Sequence, residues 1–386
     1  MIITSLLDTD LYTFTVGQAA LHQFFDFKVK YKFKCRNAGI VFTKDIVNVI
    51  KLEVEHFCNL RMSKDEINYL KQLHYLKPSF IEFLKLYQPN LEHFKINLSP
   101  SGELNITIEG PWFSTIYWEV PLLAIVNEAY TRSKYQLTTE QTAKYAENIK
   151  RKIDIAKQSG FNFSEYGTRR RFSKDVQDFL VQRLVQDAGS NFTGTSNVQF
   201  AKKYGLIPRG TVSHQWYCAG QGSEEVSLAS SQKYMLQKWV DEYRGSLGIA
   251  LSDTLGFKKF LKDFDLFFAK SYDGVRHDSG DPFEWARIMI QTYKDNKIDP
   301  KSKTLVFSDG LTFEKSAELQ KEFGQQANIV FGIGTNLTND FEGVEPLQIV
   351  IKLIEVNGKP VAKISDSPGK TMCENDMFIN YLRSVI

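Results

Sequence analysis

Thr304-Leu305-Val306-Phe307-Ser308-Asp309-Gly310, then a helical stretch over 312–323, then Asn328-Ile329-Val330-Phe331-Gly332-Ile333-Gly334, is the passage that decides the fold class. Each named run is short, apolar and rich in β-branched or aromatic residues, and each ends in polar or glycine residues. That is a strand, a loop, a helix and the next strand, the unit from which parallel sheets are assembled. Similar polar tips recur near Tyr166, Ser196, His214, Asp253, Asp278, Asp309 and Gly334, and the differences between successive positions are 30, 18, 39, 25, 31 and 25 residues. Reactive residues at the ends of successive strands predict an α/β chain forming a (β/α) barrel, because barrel active sites gather at the C-terminal strand ends. An open doubly wound sheet is the competing arrangement, and spacing alone leaves it open.

Outside this region the patterns change. Residues 28–36, Lys-Val-Lys-Tyr-Lys-Phe-Lys-Cys-Arg, alternate strictly, with Val29, Tyr31, Phe33 and Cys35 on one face, and predict a half-buried strand. Helices are predicted over 43–60, 63–76 (with Ser63 and Asp65 as start signals), 79–87, 118–129 and 138–158. A hairpin is expected at 95–98 and 104–108 around Ser101-Gly102, and another at 349–356 and 361–364 around Asn357-Gly358, with Pro360 marking an edge.

Composition excludes several function classes. At 386 residues, 42% hydrophobic and 24% charged, the chain has room for one large domain and a smaller one. A net charge of +3 gives no electrostatic case for nucleic acid or membrane partners, so anion binding has to come from local clusters such as Arg169-Arg170-Arg171. No apolar stretch approaches a membrane span, and the N-terminus lacks the pattern of a secretory signal. Cys35, Cys58, Cys218 and Cys373 have no metal-ligand spacing and read as reduced thiols of a cytoplasmic protein.

The densest chemistry lies in Gly274-Val275-Arg276-His277-Asp278-Ser279-Gly280-Asp281-Pro282. Arg276 can fork onto a carboxylate or phosphate, Asp278 and Asp281 can hold sugar hydroxyls or a Mg2+ shell, and the glycines let backbone N–H groups approach an anion. A charged surface turn is the alternative for such a cluster. His214, read as a strand-end residue, is a candidate base or nucleophile, although a lone histidine is more often structural. Ser308-Asp309-Gly310 and Gly332-Ile333-Gly334-Thr335-Asn336 are candidate phosphate cradles. Tyr166 through Arg171 offers an aromatic face beside three cations, suited to a heterocycle bearing a carboxylate, unless Arg170 and Arg171 simply face water. Asp8-Thr9-Asp10-Leu11-Tyr12 reads equally as a capped helix start. Neither a dinucleotide fingerprint nor a Walker loop is present, so any ATP site is built differently.

Several stretches, in their joint order and spacing, carry a resemblance over almost the whole chain. They are Leu7-Asp8-Thr9-Asp10-Leu11-Tyr12, Phe33-Lys34-Cys35-Arg36, Glu109-Gly110-Pro111-Trp112, Glu119-Val120-Pro121-Leu122, Glu165-Tyr166-Gly167-Thr168-Arg169-Arg170-Arg171, Thr193-Gly194-Thr195-Ser196-Asn197, Ser213-His214-Gln215 and residues 275–282. Together they resemble the nicotinate phosphoribosyltransferase family. The resemblance implies an N-terminal α+β domain over 1–135, with contributions from the C-terminal hairpin, and an irregular (β/α) barrel over 136–386. It also implies a homodimer with shared active sites.

The implied reaction joins nicotinate to 5-phosphoribosyl 1-diphosphate, giving nicotinate mononucleotide and diphosphate for NAD salvage. ATP is a co-substrate, which places the enzyme in the ligase class, and Mg2+ is the implied cofactor. By match to the family, His214 is transiently phosphorylated. Tyr166, and Tyr12 of the neighbouring subunit, would sandwich the pyridine ring, with Arg169 and Arg276 near its carboxylate and the phosphates. Asp253, Asp278 and Ser279 would lie near ribose, diphosphate and Mg2+, and Arg36 would reach diphosphate from the other subunit. Asp309, Gly310, Gly334 and Thr335 would hold phosphate. Related nicotinamide enzymes carry aspartate at the position of Ser196, so serine removes a repulsion and favours nicotinate. A nicotinamide-using enzyme and a non-catalytic phosphoribosyl sensor are the rival readings.

Overall fold

Alternation of apolar residues with lysines forms β1 (Lys28–Cys35), in which Val29, Tyr31 and Phe33 are buried while the intervening lysines stay wholly or partly exposed. The hairpin β2 (Phe94–Leu98) and β3 (Leu104–Pro111) pairs in register from Phe94 opposite Ile108 to Leu98 opposite Leu104. Six short strands follow, β4 (Asn162–Glu165), β5 (Phe192–Thr195), β6 (Ile249–Leu251), β7 (Gly274–His277), β8 (Thr304–Phe307) and β9 (Asn328–Ile333). The chain returns through β10 (Ile349–Val356) and β11 (Lys359–Pro360). This computed structural model describes residues 1–210, 212–367 and 369–386.

Two sheets organise the molecule. One is antiparallel, in the order β11-β10-β1-β3-β2, so its centre pairs β1 with a strand from the far end of the chain. The other is wholly parallel, in the order β5-β4-β9-β8-β7-β6. Its ladder is interrupted between β5 and β6. There the segment after β5 runs back alongside it, Arg209 donating its N–H to Thr195 O at 2.9 Å and its Nε to Thr193 O at 2.7 Å. Arg276 of β7 reaches Val212 O through Nη1 at 3.3 Å, so the gap is bridged by irregular chain. Gly194 makes the approach possible: its φ is +137°, and a Cβ there would stand 2.6 Å from Ile207 O. The result is an α/β chain with an irregular barrel, its strand ends converging on one cleft.

Local signals mostly fix the helices. Thr138 caps Thr139–Ser159 with a reciprocal bond from Gln141, and Ser63 does the same with Glu66 for Lys64–Leu70. The second helix stops short of the expected residue 76, its path continuing in tight turns such as Leu73 N–H to Leu70 O. An amphipathic helix, Asp376–Val385, packs Ile379 and Leu382 over Leu255 and Ala362. Among the described residues no helix is long and apolar enough to cross a membrane, and all four cysteines are free.

Three expectations are corrected. His214 does not end a strand; it opens the helix His214–Ala219, because Gly205 and Gly210 at positive φ, with Pro208 between them, deny that stretch a ladder. The terminal hairpin's second strand is Lys359–Pro360, and the chain then leaves the sheet, carrying Lys363 toward the cleft. Asp281 stands outside the cleft as the N-cap of Pro282–Asp295, accepting from Glu284 N at 2.7 Å.

Arg171 also departs from the solvated alternative. It is fully buried and takes Asp8 through Nη1 at 2.7 Å and Nη2 at 3.0 Å, with Glu128 beyond at 3.7 Å. Burial pushes the Asp8 carboxyl up, but the charge and hydrogen bonds of Arg171 outweigh it and hold the group below its ordinary value. Asp8 therefore contributes stability that is present above its unfolded pKa and lost as pH falls through the lower folded value. Asp8→Ala strands a buried guanidinium and is expected to cost about 3–5 kcal/mol in urea unfolding at neutral pH, the difference from wild type shrinking below about pH 4. A loss under 1 kcal/mol would mean the pair behaves as a surface contact.

Candidate active site

The helix His214–Ala219 is only six residues long, too short to persist without packing, and all six are buried. Trp216 anchors it, donating from Nε1 to Met235 O at 3.0 Å and packing between Trp112 and Trp239 at centroid distances of 5.7 and 5.3 Å. That aromatic floor sets His214 at the edge of a cleft of about 650 Å3. His214 Nε2 lies 2.7 Å from Asp253 Oδ1 and 3.5 Å from Asp278 Oδ2. Asp253 Oδ2 accepts from Ser279 Oγ at 2.7 Å and pairs with Lys363 Nζ at 2.8 Å. Asp278 Oδ1 accepts from Ser308 Oγ at 2.7 Å.

Charge states follow from this packing. Burial, helped by the Lys363 ammonium, pushes His214 down to about 4 against the opposing carboxylates, so the ring is neutral at physiological pH. Burial opposes ionisation of Asp253, but the hydrogen bond from His214 and the charge and hydrogen bond of Lys363 hold its carboxyl well below the usual range. A neutral ring facing a carboxylate donates from Nε2–H, which leaves Nδ1 as a bare lone pair on a side chain lining the cleft. Arg276 also lines the cleft and keeps a buried Nε with no partner among the described residues, a donor available to an anion.

Also in the cleft wall, Tyr166, the residue after β4, packs against Gly332, where an added Cβ would stand 2.4 Å from the ring. Arg169 donates from Nε to Asp10 Oδ2 at 3.3 Å and from Nη1 to Glu119 Oε1 at 3.5 Å, its guanidinium 5.1 Å from the Tyr12 ring centroid. Ser196 Oγ donates to Asp10 Oδ1 at 2.8 Å. Asp10 begins the first helix without capping it through its side chain, since its oxygens serve Ser196 and Arg169 instead. Beneath the tips, the buried Glu165 accepts from Gly167 N–H and from Thr195 Oγ1, tying the β4 turn to β5.

The nicotinate phosphoribosyltransferase (NAPRTase) family matches residues 161–386, and the N-terminal domain of that family matches residues 7–127. The chain belongs to the nicotinate phosphoribosyltransferase family. Curated nicotinate phosphoribosyltransferases from Acidovorax sp. (strain JS42) and Cupriavidus necator are each 47% identical, over 100% of this chain and 98% of theirs. The crystal structure of nicotinate phosphoribosyltransferase from Porphyromonas gingivalis superposes with a TM-score of 0.94 at 33% identity, covering 100% of both chains. That of the Vibrio cholerae protein gives 0.93 at 38%, covering 100% of this chain and 93% of its own.

Within this family fold, the structure brings His214, Tyr12, Tyr166, Arg169, Ser196 and Arg276 into the wall of one cleft, together with Asp278 and Arg36. Asp309, Gly310, Gly334 and Thr335 line it as well, Asp309 pairing with Lys370 at 2.5 Å. Tyr12 and Arg36, expected from a neighbouring subunit, line the cleft of their own chain. Asp253 and Ser279 are buried behind His214 and do not line the cleft; Asp253 meets the imidazole and Ser279 donates to Asp253. The neutral hydroxyl of Ser196 does not leave its surroundings free of carboxylate, because Asp10 is hydrogen-bonded to it.

Sequence reasoning missed Lys363 and Lys352. Burial, against the pull of Glu119, lowers Lys352 to about 8 in the cleft wall. Each lysine interrupts an apolar run, Val361-Ala362-Lys363-Ile364 and Ile349-Val350-Ile351-Lys352-Leu353, and that interruption was the available signal. Gln215 and Glu119 lay in quoted motifs but had no assigned role. Gly332→Ala is expected to displace the Tyr166 ring and lower kcat/KM for the family reaction on the order of 10²-fold, with little change in thermal midpoint. A crystal structure of the variant checks it, and a displaced ring with full activity would remove Tyr166 from ligand positioning.

Proposed function

We propose that this chain joins nicotinate to the phosphoribosyl group of 5-phosphoribosyl 1-diphosphate, with ATP hydrolysis coupled through a phosphohistidine at His214, in NAD biosynthesis. The observation that carries the coupling is the His214 Nε2–Asp253 Oδ1 contact of 2.7 Å, which leaves Nδ1 as the nucleophilic nitrogen. In the ATP half-reaction Nδ1 attacks the γ-phosphorus, the bond to the bridging oxygen breaks, and ADP leaves. The ring becomes cationic as the N–P bond forms, and Asp253 stabilises that charge through Nε2–H. Hydrolysis later returns phosphate and the neutral ring.

In the glycosyl step the pyridine nitrogen attacks C1 of the ribose as the C1–oxygen bond to diphosphate breaks, through a transition state with oxocarbenium character. Tyr166 and Tyr12 supply aromatic surface for the pyridine ring, and Arg169 a charge for its carboxylate. Arg276 and Arg36 offer donors to the diphosphate, while Asp309, Gly310, Gly334 and Thr335 frame a phosphate. For Mg2+ the hard oxygens of Asp278 fit, with ligand atoms of His214, Asp253 and Asp278 within 4.8 Å of one another. Asp253 fits less well, because both its oxygens already have partners. When bound, Mg2+ would neutralise charge on the diphosphate. The reading also carries a homodimer, which light scattering in solution checks.

Asp10 beside Ser196 favours a second reading, acceptance of a pyridine amide by a carboxylate, and one assay separates the two. Mononucleotide formation is measured with nicotinate or nicotinamide, Mg2+ and the ribosyl donor, with and without ATP. Nicotinate turnover that rises with ATP, and radiolabel from the γ-phosphate on wild type but not on His214→Ala, are expected. Turnover of nicotinamide alone would overturn the substrate assignment, and an unlabelled wild-type enzyme would overturn the phosphohistidine step.

A further inference from the structure

Gln215, the residue after His214, is buried, and both ends of its carboxamide have partners. Its Oε1 accepts from Tyr31 OH at 2.7 Å and from Trp112 Nε1 at 3.3 Å, while its Nε2 donates to Glu119 Oε2 at 2.9 Å. Two donors on one side and a carboxylate on the other fix which end of the amide is oxygen. Glu119 turns its other oxygen to Arg169 Nη1 at 3.5 Å, and Arg169 leads to Asp10 and Ser196. One line of hydrogen bonds and ion pairs therefore runs from the first turn of the His214 helix to the Arg169 guanidinium in the cleft wall.

We infer that Gln215 and Glu119 couple the phosphorylation state of His214 to the affinity of the Arg169 pocket for a carboxylate-bearing ring. This rests on the function proposed above and adds a route to it. A phosphoryl group on His214 brings about two negative charges to the start of a six-residue helix. Any adjustment of that turn moves Gln215, whose donor restrains Glu119. Glu119 in turn competes with an incoming carboxylate for Arg169. A Glu119 drawn more firmly to Gln215 frees Arg169 for the ligand, and a ligand on Arg169 returns Glu119 to Gln215. The coupling is reciprocal, as linkage requires. Gln215 and Glu119 are positioning residues in this scheme, acting through His214 and Arg169.

The test is the ratio of nicotinate turnover with ATP to turnover without it, together with KM for nicotinate in each condition, for the full-length enzyme. Gln215→Glu keeps the shape but sets a carboxylate against Glu119, and is expected to lower the ATP stimulation by about 5-fold or more while the label on His214 persists. The double variant Gln215→Glu/Glu119→Gln restores a donor opposite an acceptor and is expected to recover turnover without ATP but not the stimulation, because a neutral side chain at position 119 no longer competes with a carboxylate for Arg169; recovered stimulation would overturn the inference. Gln215→Met, which lacks the donor without adding charge, gives an independent reading should the charged variant fold poorly. A purely structural role would lower turnover with and without ATP by the same factor, and that result overturns the inference while leaving the function intact. A wild-type enzyme indifferent to ATP would remove the function's coupling step and this inference with it.

Discussion

Asp253 is the constraint on which the active site depends. Its carboxylate is almost wholly removed from water, and a buried charge of that kind persists only when its partners are close and well aligned. It has three, and each comes from a different part of the chain: His214 from the helix after the ladder's interruption, Ser279 from the loop after β7, and Lys363 from the segment leaving β11. Holding one carboxylate therefore fixes three segments at once, and fixes the imidazole as a donor at Nε2. The ammonium of Lys363 has a second effect, since its charge discourages a second proton on the ring.

Around this hub the fold uses irregularity where chemistry sits. The parallel ladder is regular through β4, β9, β8 and β7, and it gives way between β5 and β6, beside His214. Gly194 admits the passing chain there, and Gly332 admits the Tyr166 ring on the far side. The N-terminal segment is pinned across these tips by Asp8 on Arg171 and by Leu11 N–H on Ser196 O at 2.8 Å, which delivers Asp10 and Tyr12 to the cleft. A motif that reads as a helix start is thus also a strap over the strand ends.

What was legible in the sequence was what local periodicity can encode. The alternation of Lys28 to Cys35, the capping residues Thr138 and Ser63, and the strand-helix-strand run from Thr304 to Gly334 all appear as read. The pairing of β1 with β10 joins residues more than 300 positions apart, as Val29 opposite Val356 shows, and no local pattern records it. His214 was mistaken for a strand end because an 18-residue interval looks like a short unit, whereas its glycines and proline signal broken backbone. Asp281 and Asp278 were indistinguishable by type. Only the fold makes one a helix cap and the other a wall of the cleft. Lys363 and the Gln215–Glu119 contact required three-dimensional proximity and had no sequence signature beyond polar residues in apolar company.

The central claim is the protonation state of one ring, and 15N NMR of the His214 imidazole in the intact enzyme at neutral pH tests it most directly. The His214–Asp253 contact requires a proton on Nε2 and a bare Nδ1, with the pattern collapsing in Asp253→Asn. A ring protonated on both nitrogens, or carrying its single proton on Nδ1, would contradict it, since neither leaves Nδ1 free to take a phosphoryl group.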